Sequence, residues 1–141
     1  MLLFVTCCAP FSLKAQTQAL TNGETYEQCL GAICDPGGAT AVYPNGTNAV
    51  GTLCPTGGPG AGSQTTIRFV EWDLAPGPGD HLHIHQGTEA DGPPAVVGSA
   101  SNSLLGQTII STHPTGCLTL RFVTDGSVVA AGWTANITCA P

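Results

Sequence analysis

The sequence predicts an all-β domain, an antiparallel sandwich of two sheets. Three observations carry this. Glycine and proline are abundant, at 19 and 11 residues in a chain of 141, while charged residues make up only 9%, against roughly 25% in ordinary soluble proteins. Short runs alternate apolar and polar residues at the two-residue period of a strand. Clusters of turn formers separate these runs, and no sustained 3.6-residue apolar stripe lies between them.

Residues 2–13 form a short, mostly apolar run, too short to span a bilayer, and Ala15 before Gln16 offers a small-residue cleavage point. Residues 1–15 therefore read as a secretory signal peptide, one without a basic n-region, and Cys7 and Cys8 leave with it. Residues 16–28 (QTQALTNGETYEQ) are polar and read as a loose leader, which puts the domain at 29–141.

Within the domain, 37–48 is turn-rich and 54–63 (CPTGGPGAGS) is a loop. Residues 65–74 (TTIRFVEWDL) read as a strand whose Phe69-to-Trp72 spacing breaks strict alternation, so a bulge is expected near Val70-Glu71. A tight turn follows at 75–79 (APGPG). Residues 80–85 alternate, Leu82 and Ile84 on one face and His81, His83 and His85 on the other. Short strands are expected at 95–97 and 107–111, and alternating ones at 118–123 and 133–138, the last two separated by the turn Thr124-Asp125-Gly126-Ser127.

The formal net charge is −6, and it becomes more negative once Lys14 is removed, leaving Arg68 and Arg121 as the fixed cations. Nucleic-acid binding needs cations that replace phosphate counterions, so that class is set aside, and an anionic lipid surface with it. Divalent cations suit this balance better. Five cysteines remain after the signal segment, Cys29, Cys34, Cys54, Cys117 and Cys139. An exported chain oxidises such residues in pairs, and an odd number leaves one thiol over.

No G-x-S-x-G, H-E-x-x-H or C-x-x-C occurs, and the glycine-rich stretch 57–63 has no lysine before Ser63, so it is not a phosphate loop. An enzyme is not expected. His81, His83 and His85 are the unusual feature. Strand residues two apart sit about 6.8 Å from each other, near enough for two imidazoles to share one Zn²⁺ or Cu²⁺ but too far for three. His113 or Glu71 are candidates for a further ligand. The plainer reading is a half-exposed histidine face.

The C-terminal stretch CLTLRFVTDGSVVAAGWTANITC resembles the end of a CUB domain. Asp80-x-Leu82-x-Ile84-x-x-Gly87 is similar to an internal segment of the same family. Asp35-x-Gly37-Gly38, Tyr43-x-Asn45 and Cys54-Pro55 resemble the opening of bacterial CUB-like domains. The leader ending Ala15-Gln16 resembles those of exported Bacteroidota proteins. Together these motifs run from Cys29 to Cys139.

The resemblance implies a CUB-type antiparallel jelly-roll sandwich of two sheets. It also implies disulfides Cys29–Cys54 and Cys117–Cys139 with Cys34 unpaired, the alternative being Cys34 in place of Cys29. Each such bridge closes a loop of roughly 22 to 25 residues, contributing about 3 kcal/mol in the chain-entropy model. Many CUB domains bind one Ca²⁺ with a Glu and two Asp carboxylates. Asp80 and Asp125 match the two Asp positions, but Ala75 stands at the Glu position. Asp73, or a carbonyl near Gly126, is the candidate substitute.

The function implied is a secreted, non-catalytic binding or adhesion module that recognises an extracellular protein or glycan, with Ca²⁺ as a possible aid. Two alternatives are a Zn²⁺ or Cu²⁺ binder using the histidine strand and an accessory domain of a larger secreted hydrolase.

Overall fold

The structure is a computed structural model that describes residues 17–77 and 79–141; the expected signal peptide, with Cys7, Cys8 and Lys14, lies outside the described residues. The strands are β1 (Thr17–Ala19), β2 (Thr25–Glu27), β3 (Ala32–Cys34), β4 (Asn48–Cys54), β5 (Gln64–Asp73), β6 (His81–Gln86), β7 (Val96–Gly98), β8 (Thr108–Ile110), β9 (Leu118–Val123) and β10 (Gly132–Ala140). They form two five-stranded sheets, β2-β4-β9-β6-β7 and β1-β3-β10-β5-β8. All ladders are antiparallel except β1–β3 and β2–β4, which are parallel. Among the described residues, no helix is long and apolar enough to cross a membrane.

Two-residue alternation builds the core. Leu82 and Ile84 of β6 and Leu120 and Phe122 of β9 point inward from one sheet; Ile67 and Phe69 of β5 and Trp133, Ala135 and Ile137 of β10 point inward from the other. An aromatic row crosses between the sheets. Tyr43 meets Phe122 edge-on at 5.1 Å, Phe122 meets Trp133 at 5.9 Å, Trp133 meets Phe69 at 6.0 Å, and Phe69 meets Trp72 at 5.3 Å. Such edge-to-face pairs add to plain area burial.

The expected bulge is present. Opposite β10, Glu71 pairs with Thr134 and Phe69 with Ala135, so Val70 is the extra residue. Thr65, Ile67 and Phe69 are buried before it, whereas Val70, Glu71 and Asp73 are exposed after it. The bulge thus ends the core-facing pattern and turns the strand end outward.

Three expectations need correction. Residues 17–27 are not a loose leader: they supply β1 and β2, and Leu20 between them is 1% exposed. Both strands are three residues long, too short to show a period. The strands β3 and β4 also escaped the sequence reading; β4 carries Gly51, and a Cβ there would run into the Leu20 side chain.

The third correction is the disulfide pairing. The bonds are Cys29–Cys139 and Cys54–Cys117, with Cys34 free and buried. Cys117 and Cys139 border strands of different sheets, β9 and β10, so their pairing would have to cross the core. Each observed bond instead staples neighbouring strands of one sheet. Leu118 pairs with Leu53 in the β9–β4 ladder, and Cys117 and Cys54 lie one step further on. Asn136 pairs with Ala32 in the β10–β3 ladder, and Cys139 and Cys29 lie three steps further on. The sequence separations are 110 and 63 residues, so each loop closure is worth about 4 to 5 kcal/mol in the chain-entropy model. Such bonds are typical of proteins in oxidising compartments.

Candidate functional site

Three loops meet at one end of the sandwich, those following β3, β5 and β9. Tyr43 is the pivot. It is fully buried at the end of the aromatic row, and its hydroxyl donates to Asp80 Oδ2 at 2.6 Å while accepting from the Ala75 N–H at 2.8 Å. Burial, then the Asp80 hydrogen bond, raises the Tyr43 pKa well above its ordinary value, so the phenol stays protonated. Asp80, itself 2% exposed, accepts on Oδ1 from the Asp125 N–H at 2.9 Å. One carboxylate therefore joins all three loops.

The remaining contacts fix the loops in place. Gly46 N donates to the Asp125 carbonyl at 2.8 Å, and Thr124 exchanges backbone hydrogen bonds with Thr47 and Pro44 through its N–H and hydroxyl. Gly79 is required here, because a Cβ would run into the Asp125 carboxylate. Asp35, 1% exposed, accepts from the Gly37 N–H at 2.8 Å on one oxygen and from the Trp133 N–H at 3.1 Å on the other.

The structure joins Asp80 and Asp125 through the Asp125 backbone N–H. Asp125 Oδ1 accepts from both the N–H and the hydroxyl of Ser127 at 3.1 Å, and the backbone hydrogen bond of Ser127 leads in holding the Asp125 carboxyl below its usual range. Asp73 is exposed on the last residue of β5 and accepts weakly from the Ala131 N–H at 3.3 Å. Ala75 is buried and offers only its backbone. Val42 and Val128, exposed by 55% and 52%, sit on two of the same loops.

A calcium ion takes six to eight oxygen ligands. Asp80 and Asp125 are apt donors, and Tyr43 keeps Asp80 in place, but both Asp80 oxygens already accept protein hydrogen bonds and the third anionic ligand is absent at Ala75. Among the described residues, no three His, Cys, Asp or Glu side chains are grouped closely enough to hold a metal ion. The donor set is one anion short of the carboxylate set that the CUB resemblance implies. Tyr43 is the residue that sequence reasoning missed as a site element; its place in the Tyr43-x-Asn45 motif was its only signal.

The histidine strand is placed on the opposite sheet face from the core, as alternation predicted, but not evenly. His81 and His83 are half-buried, with ring centroids 6.0 Å apart. His85 is not half-exposed: it is only 4% exposed, lies 6.4 Å from His83, and its Nε2 has no hydrogen-bond partner among the described residues. Burial lowers the pKa of both His83 and His85, with His81 and Arg121 adding to the effect on His83, and Arg121 adding on His85 against a raising influence of Asp91. His113 is on a separate loop, its Nδ1 2.9 Å from Thr115 Oγ1. Glu71 accepts from the Thr134 hydroxyl at 2.7 Å on the other sheet, so neither joins the histidine strand.

No protein-family profile matches the chain. Cubilin of Rattus norvegicus is 32% identical over 130 residues, covering 87% of this chain and 3% of cubilin. The CUB1-EGF-CUB2 region of human MASP-1/3 superposes with a TM-score of 0.62 at 18% identity, over 87% of this chain and 44% of that one. The MASP-1 CUB2 domain bound to Ca²⁺ superposes with a TM-score of 0.55 at 21% identity, over 83% of this chain and 98% of that domain. The chain thus spans a small fraction of cubilin and under half of the human MASP fragment.

Proposed function

The chain belongs to the CUB domain family, and on that premise we propose that it is a secreted, non-catalytic recognition module whose working surface is the Tyr43–Asp80–Asp125 loop end. The observation that carries this is the buried Tyr43–Asp80–Asp125 network, which fixes three loops on a rigid sandwich. Loops so held are a common place for binding sites. Protein is the partner class that CUB relatives support; a glycan is the alternative occupant. Asp125 Oδ1 is taken by Ser127 and Oδ2 lies over Gly79, while Val42 and Val128 are exposed on two of the same loops. A partly exposed carboxylate at a loop end that also carries exposed apolar side chains, in a chain of formal net charge −6, suits a basic side chain of a partner protein.

Ca²⁺ is the supporting ion in this reading. Asp80 and Asp125 would hold it, and its charge would order the loop end. With one carboxylate fewer than the family's usual three, the affinity belongs at the weak end for extracellular sites, a Kd of about 10⁻⁴ to 10⁻³ M. Calorimetric titration of the oxidised protein with Ca²⁺ should give that range in wild type and no binding in Asp125→Ala. A lysine-containing peptide titrated next should bind wild type more tightly than Asp125→Ala. Equal peptide binding by both proteins would rule out the loop end as the recognition surface, whatever Ca²⁺ does.

A further inference from the structure

The outer face of the β2-β4-β9-β6-β7 sheet carries a second group of donors, of a different chemistry. His81 and His83 project from the same face of β6, which is hydrogen-bonded on both sides, to β9 and to β7. The backbone is therefore fixed, and the two imidazoles move only by side-chain rotation. Their centroids are 6.0 Å apart. With metal–nitrogen distances of about 2.0–2.1 Å, two imidazoles on one ion have centroids roughly 4.5 Å apart at a right angle and about 5.2 Å apart at a tetrahedral angle, so the rings must close by about 1 Å through side-chain rotation.

The ladder partners set the surroundings of the two rings, and the positive charge of Arg121 acts on His83. Val123 lies opposite His81 and Arg121 opposite His83 on β9, and Val97 lies opposite His83 on β7. Arg121 is drawn toward β4, on the far side of β9, where its Nε donates to Asn48 Oδ1 at 3.0 Å. His85 follows two positions further along the same face, 6.4 Å from His83, but is buried, so the solvent-accessible pair is His81 with His83.

We infer that His81 and His83 form a surface site for one transition-metal ion of the Cu²⁺ or Zn²⁺ class, with water filling the other positions. Two neutral nitrogen donors favour these ions and have no preference for Ca²⁺, and the stability order of divalent ions puts Cu²⁺ first. The site is separate in chemistry from the Asp80–Asp125 pair and does not rest on the recognition reading.

The test is titration of the tag-free, oxidised protein with Cu²⁺ at neutral pH, read by calorimetry and by the nitrogen hyperfine pattern in electron paramagnetic resonance. One ion per chain should bind with two imidazole nitrogens. His81→Gln and His83→Gln should each weaken binding at least tenfold and reduce the pattern to one nitrogen. His113→Ala and Asp125→Ala should bind as wild type does, and excess Ca²⁺ should displace nothing. Because His81 and His83 are half-buried on a surface, both substitutions keep the fold, which far-ultraviolet dichroism verifies. Wild-type affinity in His83→Gln, or a wild-type spectrum without two imidazole nitrogens, would overturn the site.

Discussion

Tyr43 shows how one hydroxyl organises a functional end. It satisfies a buried N–H and a buried carboxylate at once, so Tyr43→Phe leaves both short of a partner. The loss should be about 1–3 kcal/mol, measured by urea unfolding, with the aromatic packing retained. Cys34 is a second residue-scale case. Burial, with Asp35 and Glu71 nearby, pushes its thiol up to about 11, and the thiolate is the reactive form. At pH 8 iodoacetamide should leave Cys34 of the native protein unmodified and, among residues 17–141, label Cys34 alone after unfolding without reductant. Asp35 adds a pH dependence. Burial raises its pKa above the ordinary 3.8, against the Gly37 and Trp133 hydrogen bonds. Its contribution is therefore fully present below pH 3.8 and is lost as pH rises through the folded value. Asp35→Asn lacks this titration, so its melting temperature relative to wild type should climb across that window, on top of a constant penalty for turning an amide toward a backbone N–H. A difference that stays flat from pH 3 to 7 would contradict the assignment.

Elements with regular alternation or a short apolar run between turns were legible, including the three-residue β7 and β8, whereas the seven-residue β4, with Gly51 at its centre, escaped. β5, β6, β9 and β10 lie where alternation placed them, and the break between Phe69 and Trp72 located the bulge residue Val70. β1, β2 and β3 are three residues each, and the first two pair in parallel with strands distant from them in sequence; no local pattern encodes that. Cysteine spacing likewise gives no register, which is why the pairing had to come from the ladders. A non-reducing peptide map should yield Cys29–Cys139 and Cys54–Cys117 fragments; a Cys29–Cys54 or Cys117–Cys139 fragment would contradict the ladders. Because each bond ties strands within one sheet, replacing Cys54 and Cys117 together with alanine should cost about 2–5 kcal/mol and leave the pairing of Cys29 with Cys139 intact.

At the scale of the molecule, the aromatic row from Trp72 to Tyr43 connects the interior to the loop end, so the core and the proposed recognition surface share Tyr43. The acidic pair at that end was readable from the Asp80 and Asp125 motifs, but its support was not, because Tyr43 is 37 residues from Asp80 in sequence and meets it only in the fold. Chemistry at one end and a histidine pair on an outer sheet face give this sandwich two distinct surfaces. The most direct test of the recognition surface is nuclear magnetic resonance mapping of backbone amides during titration with a lysine-containing peptide. Shifts confined to the loops around Val42, Asp80, Asp125 and Val128 are the result expected. Shifts spread equally over Glu24, Glu27, Glu89 and Asp91 would mean that the peptide follows overall charge and that this end is not the binding surface.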